Sequence, residues 1–238
     1  MKKSSNNKKF NKIMIVAHPD DELIFGGAEL IENKGYRVLC MTNQNNPIRI
    51  KEFTGLMNEL KLSYEILNHP DNMGDKKVED EWYNYVEQVL TKNKVSKIAT
   101  HNKQGEYGHN FHKAVHNMVT NLCIKNGLED KLYTFHNGSK NLDKNLVEKK
   151  LELMKKYYPS QFKVIDRLGL MKSIQSGILK KYKSNNSNKK LNVNKKSNKN
   201  KKSNEKTKLV NNSPKKLKHQ IKHLVKHQIK HQKLKKNN

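Results

Sequence analysis

Short apolar runs punctuate the first 180 positions, and longer amphipathic stretches separate them. Five runs have the length and content of strands: Lys12–Ala17, Arg37–Thr42, Tyr64–Asn68, Lys97–Thr100 and Leu132–Phe135. Helical patterns fill the gaps at about 24–34, 49–61, 79–93 and 110–125, and two more, near 144–157 and 160–180, follow the last strand. In the helix from Glu79, Trp82, Tyr85, Val86, Val89 and Leu90 recur at helical spacing, which marks Trp82 as core. Such alternation predicts an α/β fold, a mostly parallel sheet with helices on both faces. Sheets of this kind carry their chemistry beyond the carboxyl ends of the strands.

Two charged clusters fall at such ends. The first, His18-Pro19-Asp20-Asp21-Glu22, follows the buried run Ile13–Ala17; the second, His101–His116, follows the fourth strand and reads HNKQGEYGHNFHKAVH. Three acids and an imidazole in five positions repel one another unless a cation or substrate lies among them. Pro19 keeps His18 out of helical geometry, so His18 and Asp21 can converge while Asp20 points elsewhere. An imidazole and a carboxylate are two of the three protein ligands of a catalytic zinc. The third is open between His109 and His112, three apart at the start of one helix. A spare carboxylate and a spare histidine then remain for general base and acid work. Alone, the first cluster also fits a helix N-cap with acids on the dipole, and the His pair a solvated helix face. Their joint placement after two strands of one sheet favours a site. His101 and His116 flank the second cluster, with His116 expected to be supporting or superficial, and His69 is expected in the loop after the third strand.

Charge changes the picture of the C-terminus. From Lys180 to Asn238 there are 21 lysines, no arginine and one acid, Glu205, so this segment carries +20 of the formal +27 and leaves +7 for residues 1–179. Residues 1–10 form a basic extension, 11–180 the folded domain, 181–216 a Lys/Asn/Ser-rich linker expected to be disordered, and 217–238 a His/Lys tail. The tail repeats every four positions, His219 to His231, with an apolar row from Leu217 to Ile229. It can form a basic amphipathic helix on an anionic partner, nucleic acid or membrane surface. Lacking arginine and interleaved aromatics, it is not built for specific base readout. No run approaches the length of a membrane span, and the N-terminus does not read as a signal peptide. An intracellular, cytoplasmic setting is expected, with Cys40 and Cys123 free and buried.

The sequence AHPDDE (Ala17–Glu22) with GEYGHNFH (Gly105–His112) resembles the LmbE-like, or PIG-L, family of metal-dependent deacetylases. Arg49–Glu52 (RIKE) is similar to the family's R-x-x-E segment, and Asn68–Trp82 to its Asp- and Trp-containing stretch. The resemblance covers Lys12 to Phe135. It implies a Rossmann-like domain that holds zinc, or another divalent ion such as iron(II), and removes an N-acetyl group from an N-acetylglucosamine-containing sugar or glycoconjugate. By motif position, His18, Asp21 and His112 would be the metal ligands. Asp20 would be the general base, His109 the charged partner of the oxyanion and leaving amine, Tyr107 a binder of the acetyl carbonyl, and Arg49 a substrate-binding residue. Two departures stand out: Thr42–Pro47 (TNQNNP) lacks the glycine of the family's T-N-G turn, and His109–His112 reads HNFH in place of HPDH. The competing readings are a catalytically inert family member and a protein whose basic tail carries the function.

Overall fold

Every residue from Ile13 to Ala17 is fully buried, as a strand is when helices cover both faces of its sheet. The computed structural model describes residues 4–6, 9–71 and 78–183 and places that run at the centre of seven strands. These are β1 (Ser4–Asn6), β2 (Lys12–Val16), β3 (Tyr36–Thr42), β4 (Ser63–His69), β5 (Lys97–Thr100), β6 (Leu132–Asn137) and β7 (Gly177–Lys181). Their spatial order is β1-β4-β3-β2-β5-β6-β7. The five inner strands are parallel, Met14 pairing with Val38 on one side and Ala99 on the other, whereas β1 and β7 are antiparallel edges.

The helices are α1 (Asp21–Ile24), α2 (Gly27–Glu32), α3 (Pro47–Glu59), α4 (Asp80–Lys92), α5 (Asn110–Lys125), α6 (Lys144–Tyr157), α7 (Phe162–Arg167) and α8 (Met171–Ser176). The two-residue period of β2 divides them. Met14 and Val16 join a core with Phe25, Phe53, Leu153, Tyr158 and Ile174, from α3, α6, α8 and their neighbours. Ile13, Ile15 and Ala17 join the opposite core, built by α4 and α5 through Trp82, Val86, Phe111 and Val115. The expected mostly parallel α/β sheet is therefore present, and Cys40 and Cys123 are free and buried.

Two helix expectations are corrected. The stretch 24–34 is two short helices, the first beginning at Asp21. The single helix expected over 160–180 ends after Arg167, where Gly169 takes φ +67, a left-handed conformation that suits a residue without Cβ. It restarts as α8 and then leaves as strand β7, with Thr134 opposite Lys180 and His136 opposite Ile178. Gly177 permits that exit: a Cβ there would stand 2.5 Å from the Ser173 carbonyl oxygen and 2.9 Å from that of Phe25. The apolar pair Ile178-Leu179 fits either period, and the open edge of β6 decides for strand. His69 is likewise the buried last residue of β4 rather than a loop residue.

Within the expected N-terminal extension, Ser4–Asn6 pairs with β4. Of the expected linker, only residues 181–183 are described; the rest and the His/Lys tail lie outside the described residues. No described helix is long and apolar enough to cross a membrane.

From β2 the chain builds β3 and β4 on one side, then returns to lay β5 and β6 on the other. Chain direction thus divides between β2 and β5, and a crevice opens beyond their carboxyl ends.

Candidate metal centre and active site

The turn after β2 is tightly pinned. The Ala17 N–H donates to His101 Nε2 at 2.9 Å, and Thr42 Oγ1 donates to the Ala17 carbonyl at 2.9 Å. Asp20 adopts φ 118, a strained conformation for a residue with a side chain, costing on the order of 1–3 kcal/mol. Its neighbours hold it there. The Asp20 N–H donates to Glu22 Oε2 at 3.1 Å, and Tyr158 donates to the other Glu22 oxygen. The Arg49 guanidinium donates to the Pro19 carbonyl, stands 3.2 Å from Asp20 Oδ2, and pairs with Glu52 at 2.8 Å. Ser160 donates to both Glu52 oxygens, which ties the R-x-x-E turn of α3 to the end of α6.

This strained turn brings three atoms together. His18 Nδ1 lies 3.2 Å from His112 Nε2, and each lies 3.3 Å from Asp21 Oδ2. Ligands at zinc distances of about 2.0–2.2 Å in a tetrahedral arrangement stand about 3.3–3.6 Å apart, so the triangle has the dimensions of a metal's ligand face. The outer ring nitrogens have carboxylate acceptors of their own, which leaves the inner nitrogens to a metal once they are deprotonated. His18 Nε2 meets Asp71 Oδ2 at 3.0 Å, and His112 Nδ1 meets Glu106 Oε2 at 2.8 Å; with those protons given outward, Nδ1 of His18 and Nε2 of His112 are free to ligate.

Asp21, His101 and His112 form another close group. Both His101 nitrogens are already committed, Nε2 to the Ala17 N–H and Nδ1 to Glu106 at 2.8 Å, so this ring supports the site without donating to it. It stacks on His112 with centroids 4.0 Å apart. His109 also approaches His18 and His112, and its buried Nδ1 has no partner among the described residues.

The field within the cluster favours added positive charge. Burial opposes protonation of both rings, yet Asp21 with Asp71 lifts His18 to about 10, and Asp21 with Glu106 lifts His112 to about 9. Burial likewise works to raise Asp21, but His112 and His18 hold its carboxyl well below the usual range. Glu106 is held at about 2 against burial by His101 and His112. Two protons or one dication can answer the same carboxylates, and the donor set fits a divalent metal. Beside the triangle, burial pushes Asp20 up to about 7, with Arg49 limiting the rise. Burial, then repulsion from His112 and His18, pushes His109 down to about 4.

A cavity of about 490 Å³ opens over the triangle. All the residues expected at the site except buried His112 line it: His18, Asp20, Asp21, Arg49, Tyr107 and His109. Ile24, Val164, Ile165, Leu168 and Leu170 form an apolar wall. The half-exposed Tyr107 ring sits 5.8 Å from His109 and 5.5 Å from His112. Arg49 lines the cavity but spends its donors on Pro19, Asp20 and Glu52.

Sequence reasoning missed Asp71 and Glu106, the carboxylates that orient the two histidines. A signal existed for each: Asp71 closes a second His-Pro-Asp, and Glu106 lies in a glycine-flanked loop between His101 and His112. Asn68–Trp82 is described only in part, residues 72–77 lying outside the described residues.

The fold and site define an open α/β protein with a buried His/Asp cluster at its switch point that could hold a metal ion. The family model of GlcNAc-PI de-N-acetylase, PIG-L, matches residues 13–123. The uncharacterized protein L374 of Acanthamoeba polyphaga mimivirus is 35% identical over 185 residues, 69% of this chain and 78% of that one. Among solved structures, the conserved protein TT1542 from Thermus thermophilus has a TM-score of 0.54 at 18% identity, over 68% of this chain and 84% of its own. A deacetylase triple mutant, Orf2*T, of the teicoplanin biosynthetic pathway has a TM-score of 0.53 at 12% identity, over 68% and 88%. At these identities the two structures share the fold with this chain. The chain belongs to the PIG-L, or LmbE-like, family of deacetylases.

Proposed function

We propose that this protein is a divalent-metal-dependent hydrolase that removes the N-acetyl group from an N-acetylglucosamine-containing sugar or glycoconjugate. The observation that carries the reading is the 3.2–3.3 Å triangle of His18, Asp21 and His112, with Asp71 and Glu106 facing the outer nitrogens of its two rings. Zinc suits this donor set, and iron(II) is accepted by similar ones. The ion, when bound, supplies Lewis acidity that makes a water proton easier to remove and polarises a carbonyl.

Asp20 takes the water proton as the acetyl C–O bond forms. Burial raises it in the metal-free chain, and the Arg49 guanidinium beside it favours the ionised form that a base needs. Tyr107 donates toward the acetyl carbonyl oxygen at the cavity mouth. His109 is neutral at pH 7 in the metal-free chain and hydrogen-bonds the developing oxyanion. It reaches the charged state expected for it by taking over the proton that Asp20 removed from the water. As the C–N bond breaks, that proton passes to the leaving amine nitrogen, giving acetate and a free amine. Arg49 acts on substrate mainly by fixing Asp20.

The basic segment beyond residue 183 adds a salt-dependent, sequence-independent attraction to nucleic acid or an anionic membrane surface. The free thiols suit a reducing, intracellular setting. The test is amine release from a panel of N-acetylated sugars before chelation, after chelation and after zinc return. Loss and recovery on GlcNAc-bearing members supports the proposal; turnover indifferent to the chelator overturns it.

A further inference from the structure

A second cleft, of about 470 Å³, lies behind the metal centre, where α5 passes β6 and the end of β7. Its side chains have no place in hydrolysis. His116 and Thr120 of α5 are 5% and 7% exposed, Lys103 comes from the loop after β5, His136 from β6, and Lys183 follows β7. Among the described residues, no carboxylate lines it. The Thr120 hydroxyl is buried with no partner among the described residues, a cost of about 1–3 kcal/mol that a bound ligand would remove. His116 gives its Nδ1–H to the His101 carbonyl at 2.8 Å, so the neutral ring has Nε2 left as an acceptor. Lysines and amides supply donors, Thr120 supplies a hydroxyl, and His116 asks for an O–H from the ligand.

We propose that this cleft is a phosphate-binding site, for inorganic phosphate or the phosphomonoester of a small polyol. A phosphate that retains one proton near neutral pH offers acceptor oxygens to Lys103, Lys183 and Thr120 and an O–H to His116. Sulfate has the charge and shape but no proton to give. The site is independent of the proposed deacetylation, since none of these side chains touches the catalytic cavity.

Thermal unfolding of the full-length protein tests it, with phosphate, sulfate and glucose 6-phosphate titrated at matched ionic strength. The expected result is a saturable rise in Tm with phosphate that sulfate does not reproduce. Thr120→Val and Lys103→Met each shift its midpoint at least about tenfold toward weaker binding. Both variants keep the basic C-terminal residues and the metal centre, so phosphate held there contributes equally to every protein. A tighter midpoint for glucose 6-phosphate identifies a phosphorylated polyol as the occupant; an equal one identifies free phosphate. Absence of a saturable rise, an equal response to sulfate, or unchanged midpoints in both variants overturns the proposal.

Discussion

Glu106 offers a quantitative test of how the metal centre is held. Its Oε2 accepts from Nδ1 of both His101 and His112 at 2.8 Å, and its Oε1 accepts the Asn102 N–H at 2.8 Å. In Glu106→Gln the new amide nitrogen must face either the two imidazole N–H groups or the Asn102 N–H. Each choice places donor against donor in a buried site, at roughly 1–3 kcal/mol. His112 can escape by giving its proton to Nε2, the atom meant for metal. Loss of a partner that orients a ligand histidine costs about 10- to 100-fold in metal affinity, or about 1.4–2.8 kcal/mol. Zinc competition against a chromophoric chelator measures this directly, and the Tm of the zinc-free variant shows whether the fold survives. A folded Glu106→Gln protein that binds zinc within about twofold of wild type would refute the orientation argument.

Further outcomes follow from the same geometry. Asp20→Asn, a residue that tolerates the left-handed backbone, should lower turnover by about 10²–10⁴-fold while zinc affinity stays within about threefold; retained turnover removes Asp20 as the base. The stability that His18 and His112 give the metal-free protein is complete below about pH 6.5 and fades as pH climbs through about 9 to 10. Metal binding needs both inner nitrogens bare, so zinc affinity should rise with pH across that window, with close to two protons released per ion at about pH 7.5. Calorimetry in buffers of different ionisation enthalpy counts them, and none released contradicts the assignment. Gly177→Ala should cost about 1–3 kcal/mol, because its Cβ meets two backbone carbonyls; an unchanged Tm would mean β7 can shift.

Much of this architecture is legible in the sequence. Ile13–Ala17 has no polar face to show solvent, so a doubly covered strand follows, and the charged residues after it must lie at its carboxyl end. The last helical stretch is less legible because Gly169 and Gly177 act through backbone geometry. One turns left-handed and the other passes between carbonyls, and neither changes the hydrophobic period of its neighbours. Among the residues of the cluster, His18, Asp21 and His112 announce themselves as candidates by composition and spacing. Asp71 and Glu106 each carry a sequence signal, but their roles depend on which ring nitrogen they face, which only the fold decides. The same holds for Arg49: its spacing from Glu52 is visible along the chain, but its contact with Asp20, 29 positions earlier, exists only once α3 has docked.

The central claim is that one ion held by His18, Asp21 and His112 makes this chain an N-deacetylase. Bound metal and acetate release should therefore be measured on the same samples of wild type and His112→Ala as zinc is withdrawn and restored. The account predicts one ion per wild-type chain, turnover of an N-acetylglucosamine substrate in proportion to occupancy, and loss of both in the variant. Undiminished turnover without metal, or full occupancy with no acetate released from any N-acetylated sugar, would contradict it.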